Sequence, residues 1–138
     1  MEQDKKRILV VDDDPDFSAS LSFFLEENGY QALIAHDGTE GLRLAALHHP
    51  DLILMDIMMD ERTEGFFAVQ ELRRNAGLRH IPVFVVSALY TEVPEFNVPP
   101  DKAWTGHDEF LRKPVNMPEL LGLIRKHLGA TETKEARA

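Results

Sequence analysis

Three carboxylates, one hydroxyl and one ammonium group stand where short apolar runs of this sequence end. They belong to Asp12, Asp13, Asp56, Ser87 and Lys113. Acids that converge in a cleft repel one another, so they need a counter-cation if all are to stay ionised. Oxygen ligands with few protein carboxylates suit Mg²⁺, which keeps several waters and favours substrates that carry phosphate. These residue types predict a magnesium-assisted site for a phosphoryl group, provided that the fold brings them together.

Each group has a chemical role that such a site requires. Asp56 is the natural nucleophile, because a carboxylate can form an acyl phosphate. Lys113 would add positive charge opposite the metal, and Ser87 would donate a hydrogen bond, so that charge on the phosphoryl oxygens is stabilised in transit. Taken one at a time, the same residues could be a helix cap, loop acids, a turn hydroxyl and a solvated cation. The prediction therefore depends on their conjunction.

The elements that must position these residues follow from the hydrophobic pattern. Apolar runs alternate with amphipathic stretches, which indicates a parallel sheet covered by helices on both faces. The runs interpreted as strands are residues 8–11, 30–35, 52–55, 83–86 and 110–111. Ligands of such folds bind beyond the carboxyl ends of the strands. We predict an α/β fold, a doubly wound five-stranded parallel sheet, with the chemical groups on one rim.

Four amphipathic stretches predict helices between and after these strands. The first is capped by Asp14 and stops near Gly29, the second begins at Asp37 or Gly38 and ends before Pro50, and the others cover about 65–74 and 117–128. The segment 91–102 differs from them because it holds Pro94, Pro99 and Pro100, and proline inside a helix costs about 3 kcal/mol. We expect an extended or irregular conformation there.

Length and charge limit the class of protein. The chain has 138 residues, with 24 acids against 15 Lys and Arg, so its formal charge is −9. This length fits one domain, and the absence of Cys excludes disulfides and thiol chemistry. The acid excess argues against direct nucleic-acid binding. No apolar run approaches the ~20 residues of a membrane span, and residues 1–7 are too polar for a signal peptide, so we expect a cytoplasmic protein without membrane insertion.

Four motifs in this order resemble the receiver domain of bacterial two-component response regulators. They are ILVVDD at 8–13, LMDIMM at 54–59, VVSA at 85–88 and FLRKP at 110–114. The resemblance runs from about Arg7 to Leu128. It implies a (βα)₅ flavodoxin-like receiver fold in residues 1–129, with its core at about 7–128 and a polar tail at 130–138. If the chain is complete, it resembles a stand-alone receiver of the chemotaxis-regulator kind; otherwise it is part of a longer hybrid protein.

The resemblance also implies a Mg²⁺-dependent reaction. Asp56 would receive a phosphoryl group from the phosphohistidine of a sensor histidine kinase or phosphotransfer protein. Asp12 and Asp13 would correspond to the acidic pair that holds Mg²⁺, Asp13 most directly. Asp56 and the backbone carbonyl of Met58 would also contribute to the metal site. One departure lies here, since Asp60 stands where the family usually has proline and the following loop is longer.

The remaining motifs imply the grip on phosphate and the switch. Ser87, Ala88 and Lys113 would bind the phosphoryl oxygens. Phe110 would be the aromatic switch residue that turns inward when Ser87 moves toward phosphate. The irregular 91–102 segment falls where much of the usual output surface is formed, so the downstream protein target is left open.

Other functions remain to be weighed against a phosphoacceptor. A phosphorylation-independent interaction scaffold would have no need of Asp12, Asp13, Asp56, Ser87 and Lys113 together. An Asp-nucleophile phosphohydrolase would need a second acid two residues after Asp56, where this chain has the apolar Met58. A flavodoxin-like cofactor binder would need a phosphate-binding loop after the first strand, which is not present. We therefore expect no enzyme, and at most slow autodephosphorylation.

Overall fold

The computed structural model describes residues 5–56, 64–87 and 108–129. Their elements are β1 (Arg7–Val11), α1 (Pro15–Glu27), β2 (Gln31–Ala35), α2 (Gly38–His48), β3 (Leu52–Met55), α3 (Glu64–Arg74), β4 (Val83–Ser87), β5 (Glu109–Arg112) and α4 (Met117–Leu128). All neighbouring strands pair in parallel, in the order β2-β1-β3-β4-β5. The predicted α/β fold with a five-stranded parallel sheet is confirmed. The irregular conformation expected for 91–102 and the polar tail at 130–138 lie outside the described residues.

Both faces of the sheet are buried, as the continuous apolar strands require. Side chains alternate between faces along each strand, so Leu9 and Val11 point one way while Ile8 and Val10 point the other. The first pair lies in a core that α2 and α3 cover. The second pair lies in a core that α1 and α4 cover. Two separate cores hold the sheet rigidly between the helices and fix the rim on which its strands end.

The N-terminus of α1 begins beside that rim. The Oδ1 atom of Asp14 accepts hydrogen bonds from the backbone N–H groups of Asp16 (3.0 Å) and Phe17 (3.2 Å). Pro15 occupies the first turn, where its missing N–H has no structural cost. The cap predicted from the sequence is confirmed, and it sets the direction in which the first turn presents its side chains.

The sequence predicts Tyr30 at the start of the second strand, but β2 begins one residue later, at Gln31. The backbone N–H of Tyr30 donates to Leu25 O (3.0 Å), and its side chain is fully buried in the α1–α4 core. Burial raises the pKa of the Tyr30 phenol, and the nearby positive charge of Arg125 partly offsets this rise. The residue therefore contributes to the core and not to strand pairing.

We expect stability at alkaline pH to depend on Tyr30. A folded-state pKa above the unfolded value of 10.0 gives stability that is complete below pH 10.0 and is lost as the pH rises through the folded-state pKa. Thermal unfolding of Tyr30→Phe between about pH 9 and pH 11 should therefore show a smaller fall in Tm than the wild type. Equal declines in the two proteins would contradict this assignment.

Asp108 and Arg73 join α3 to the start of β5. Asp108 Oδ2 accepts hydrogen bonds from Val83 N–H (2.8 Å) and Arg73 Nη2 (2.9 Å). Arg73 Nη1 also donates to the carbonyls of Arg79 and Ile81, each at 2.8 Å. One carboxylate and one guanidinium thus hold together α3, the turn after it, β4 and β5, at the amino ends of the strands.

Replacement of Asp108 by alanine should lower the free energy of unfolding by about 2 kcal/mol. The variant leaves Val83 N–H and the Arg73 guanidinium without this acceptor in a half-buried setting. The matched control is Glu71→Ala, which breaks the exposed Arg74–Glu71 ion pair (2.8 Å) and should change stability by less than about 0.5 kcal/mol. Urea unfolding measures both effects; similar values for the two variants would show that the Asp108 network contributes little.

Candidate functional site

The carboxyl ends of β1, β3 and β5 place three of the predicted residues together. Val11 pairs with Met55 in the β1–β3 ladder, so the following residues, Asp12 and Asp56, are neighbours at the rim. The backbone N–H of Asp56 donates to Val11 O (2.9 Å), which continues this pairing. Lys113 follows β5 directly. Asp12 is only 2% exposed and Asp56 only 5% exposed, so two acids are buried at the end of an apolar sheet.

Asp13 completes a group of acids that fits a divalent cation. One carboxylate oxygen each from Asp12, Asp13 and Asp56 lies within 4.8 Å of the others. Three closely spaced carboxylates with no nitrogen or sulfur ligand form the hard oxygen donor set that Mg²⁺ prefers. The chemistry of these donors therefore fits the metal predicted from the sequence.

Lys113 supplies the positive charge at this group of acids. Its Nζ donates to Asp12 Oδ2 at 2.7 Å and to Asp56 Oδ2 at 3.3 Å, and its side chain is 19% exposed. Burial alone would lower the pKa of Lys113, but the hydrogen bond to Asp12 and the charges of Asp56 and Asp12 outweigh it and raise this pKa. The ammonium is therefore fully charged at neutral pH.

Asp12 is engaged through both carboxylate oxygens. Oδ1 accepts a hydrogen bond from the backbone N–H of Asp14 (2.9 Å), and Oδ2 accepts one from Lys113 Nζ. A cation that approached Asp12 Oδ2 would compete with the Lys113 ammonium for the same oxygen. Electrostatics thus couple metal binding to the position of Lys113.

The other predicted residues are described to different extents. Ser87 is the last residue of β4, where it pairs with Arg112. Phe110 lies in β5, pairs with Val85 and is half-buried. Met58 and Ala88 lie outside the described residues.

Phe17 was not among the residues predicted for the site. Its ring centroid lies 4.4 Å from Lys113 Nζ, within the range of a cation–π contact. In the sequence, its helical spacing with Leu21 and Leu25 indicates only the apolar face of the first helix. A signal was available, because Phe17 falls in the first turn of the helix that begins beside the Asp12–Asp13 pair.

Comparison with known proteins gives the family. Residues 8–125 match the family model described as the response regulator receiver domain. The chain belongs to this family. Receiver domains are the response regulator modules of two-component signal transduction and are generally not enzymes. No helix within the three described ranges is both long enough and apolar enough to cross a membrane.

Relatives of this receiver domain include short and long proteins. It is 38% identical over 121 residues to PilH of Pseudomonas aeruginosa. This alignment covers 86% of this chain and 93% of PilH. The domain is 32% identical over 124 residues to the polar-differentiation response regulator DivK of Brucella ovis, covering 90% of this chain and 97% of DivK. It is 36% identical over 129 residues to RpaA, a DNA-binding dual master transcriptional regulator of Synechocystis, covering 91% of this chain. The alignment spans only 50% of the length of RpaA.

Solved structures agree with the receiver fold. Chemotaxis protein CheY4 of Vibrio cholerae superposes with a TM-score of 0.77 at 27% identity, covering 89% of this chain and 98% of CheY4. The receiver domain of sensor histidine kinase PA1611 from Pseudomonas aeruginosa gives a TM-score of 0.75 at 25% identity, covering 91% of this chain and 99% of that domain. That structure is described with a magnesium ion coordinated in the active site cleft.

Proposed function

We propose that this receiver domain is the phosphoacceptor of a two-component phosphorelay. Asp56 takes a phosphoryl group from the phosphohistidine of a sensor histidine kinase or phosphotransfer protein, in a Mg²⁺-dependent reaction that switches a protein-binding surface. The observation that carries this proposal is the setting of Asp56. Its buried carboxylate lies within 4.8 Å of the Asp12 and Asp13 carboxylates and 3.3 Å from the Lys113 ammonium.

The metal would be held by Asp12, Asp13, Asp56 and the backbone carbonyl of Met58. When bound, Mg²⁺ would neutralise the repulsion between these acids and an incoming phosphoryl group. The description of PA1611 with magnesium supports this assignment for a related domain. Asp12 is the acid whose Oδ2 already pairs with Lys113, so Asp13 has the more direct part in metal binding.

Transfer to Asp56 is a displacement at phosphorus. A carboxylate oxygen of Asp56 forms the new O–P bond while the N–P bond to the donor histidine breaks, and that bonding pair stays on the imidazole nitrogen. The Lys113 ammonium, 3.3 Å from Asp56 Oδ2, would bind a phosphoryl oxygen, and Ser87 and the Ala88 backbone would bind others. Ser87 would then approach the phosphate, and Phe110 in neighbouring β5 would turn inward as the switch residue.

Small phosphodonors and intact mass spectrometry test this proposal. Phosphoramidate is a suitable donor, because its N–P bond resembles that of phosphohistidine. We expect one phosphate adduct with Mg²⁺, none after chelation and none in Asp56→Asn. The exposed Asp16→Asn, which removes the same charge from the first turn of α1, should form the adduct normally. No adduct on the wild type would instead favour the phosphorylation-independent scaffold.

A further inference from the structure

We propose that Phe17 is a positioning residue for the Lys113 ammonium during phosphoryl transfer. This inference rests on the proposed function of Asp56. It starts from the contact between the Phe17 ring and Lys113 Nζ, 4.4 Å from the ring centroid. The face of an aromatic ring carries negative potential and attracts a cation.

The ring completes the surroundings of the ammonium. A lysine ammonium has three N–H donors that normally bind water. In this structure Asp12 Oδ2 lies at 2.7 Å and Asp56 Oδ2 at 3.3 Å, and the Phe17 ring covers a further side. The Lys113 side chain retains only 19% of its exposure. Protein groups thus cover most of this side chain, and a partly desolvated cation makes a stronger cation–π contact than an exposed one.

The Phe17 ring is positioned by the helix that carries it and by the core. The Phe17 N–H donates to the Asp14 cap, and its side chain packs against the core that α1 and α4 cover. The four-carbon chain of Lys113 is flexible and would lose its position readily without fixed partners. A ring fixed by its own helix therefore restricts where the ammonium can go.

The contact matters most when the acids engage other groups. Asp12 and Asp56 carry negative charge and belong to the group of oxygens that fits a divalent cation. Phe17 has no such ligand atom, so its ring can keep the ammonium beside Asp56 whatever the carboxylates bind. A larger fraction of molecules then has Lys113 in place for transfer.

Ring-fluorinated phenylalanines at position 17 give the sharpest test. Stepwise fluorination weakens the negative face of the ring with little change in its size. We expect the initial rate of adduct formation from phosphoramidate, at saturating Mg²⁺, to fall stepwise along this series. The rate should fall about fivefold in Phe17→Leu and stay near that of the wild type in Phe17→Tyr, which keeps the aromatic face.

A second measurement does not depend on phosphorylation. In metal-free protein, NMR of the Lys113 ammonium should show faster exchange of its protons with water in Phe17→Leu than in the wild type or Phe17→Tyr. The matched control is Phe24→Leu, the same substitution on the same helix against the same core. It should leave both the rate and the proton exchange unchanged.

The outcomes separate the two proposals. A wild type that forms no adduct would overturn the function of Asp56. A wild type that forms the adduct, with equal rates across the fluorinated series, would overturn the role of Phe17 alone. The same conclusion would follow if Phe24→Leu slowed the reaction as much as Phe17→Leu, because general packing of α1 would then account for the effect.

Discussion

Replacement of Lys113 by methionine is expected to lower the free energy of unfolding of the metal-free domain by about 3 kcal/mol. Methionine keeps most of the side-chain volume but leaves Asp12 and Asp56 buried without the ammonium that lies 2.7 and 3.3 Å from them. We expect this loss of stability at neutral pH. Because the folded-state pKa of Lys113 is raised above 10.5, its contribution is complete below pH 10.5 and is lost only as the pH rises through the folded-state pKa.

Mg²⁺ should restore most of this stability, because it replaces the missing charge at the same acids. Urea unfolding with and without Mg²⁺ measures the rescue, and calorimetry should show tighter Mg²⁺ binding in Lys113→Met than in the wild type. Phosphoryl transfer should nevertheless slow.

Lys126→Met is the control for this prediction. Lys126 is 68% exposed and its Nζ lies 3.6 Å from Glu109 Oε2, so this substitution should change stability by less than about 1 kcal/mol. Wild-type stability of Lys113→Met in chelator would refute the ion cluster as a stabilising feature.

Replacement of Asp13 by asparagine is expected to weaken Mg²⁺ binding by at least about 100-fold. The substitution keeps the shape of the side chain and removes one of three charges from oxygens within 4.8 Å of one another. The Lys113 hydrogen bonds to Asp12 and Asp56 do not involve Asp13, so stability in chelator should change little. Calorimetric titration with Mg²⁺ and the Mg²⁺ dependence of adduct formation measure the same loss independently.

Asp16→Asn provides the matched control for Asp13→Asn. It removes one negative charge from the exposed first turn of α1, so it reproduces any effect of net charge alone. Its Mg²⁺ affinity should stay within about threefold of the wild type, because exposed charges are screened by salt. Equal losses in both variants would mean that Mg²⁺ responds to the overall charge of the region, and that Asp13 is not a ligand.

The sequence predicts the fold well because each buried strand carries its own signal. Continuous apolar runs ending at Asp12, Asp56 and Ser87 give the strands and the rim together. Boundaries are less certain where the signal is weak: β5 extends over Glu109–Arg112, two residues more than its apolar pair. The strand-like alternation of residues 30–35 assigned Tyr30 to β2, but its side chain is buried in the core between α1 and α4. Packing demand decided its place over local preference.

The candidate site is predictable in its members but not in its contacts. The rim rule brings Asp12, Asp56 and Lys113 to one place without any coordinates. It cannot say that Lys113 lies nearer to Asp12 than to Asp56, because side-chain reach and the Asp14 N–H decide that. Likewise, the spacing of Phe17 indicates the core-facing side of a helix, whereas its contact with the Lys113 ammonium is a tertiary contact between residues 96 positions apart in the chain.

The hydrogen bond between Lys113 and Asp12 spans 101 positions of the chain. During synthesis, the ribosome therefore exposes both buried acids long before it delivers their cation. A nascent chain that has not yet added β5 to the sheet holds Asp56 without Lys113, and it lacks the arrangement that the proposed reaction needs. If Asp56 is the phosphoacceptor that we propose, the chain would become able to accept phosphate only after β5 has joined the sheet.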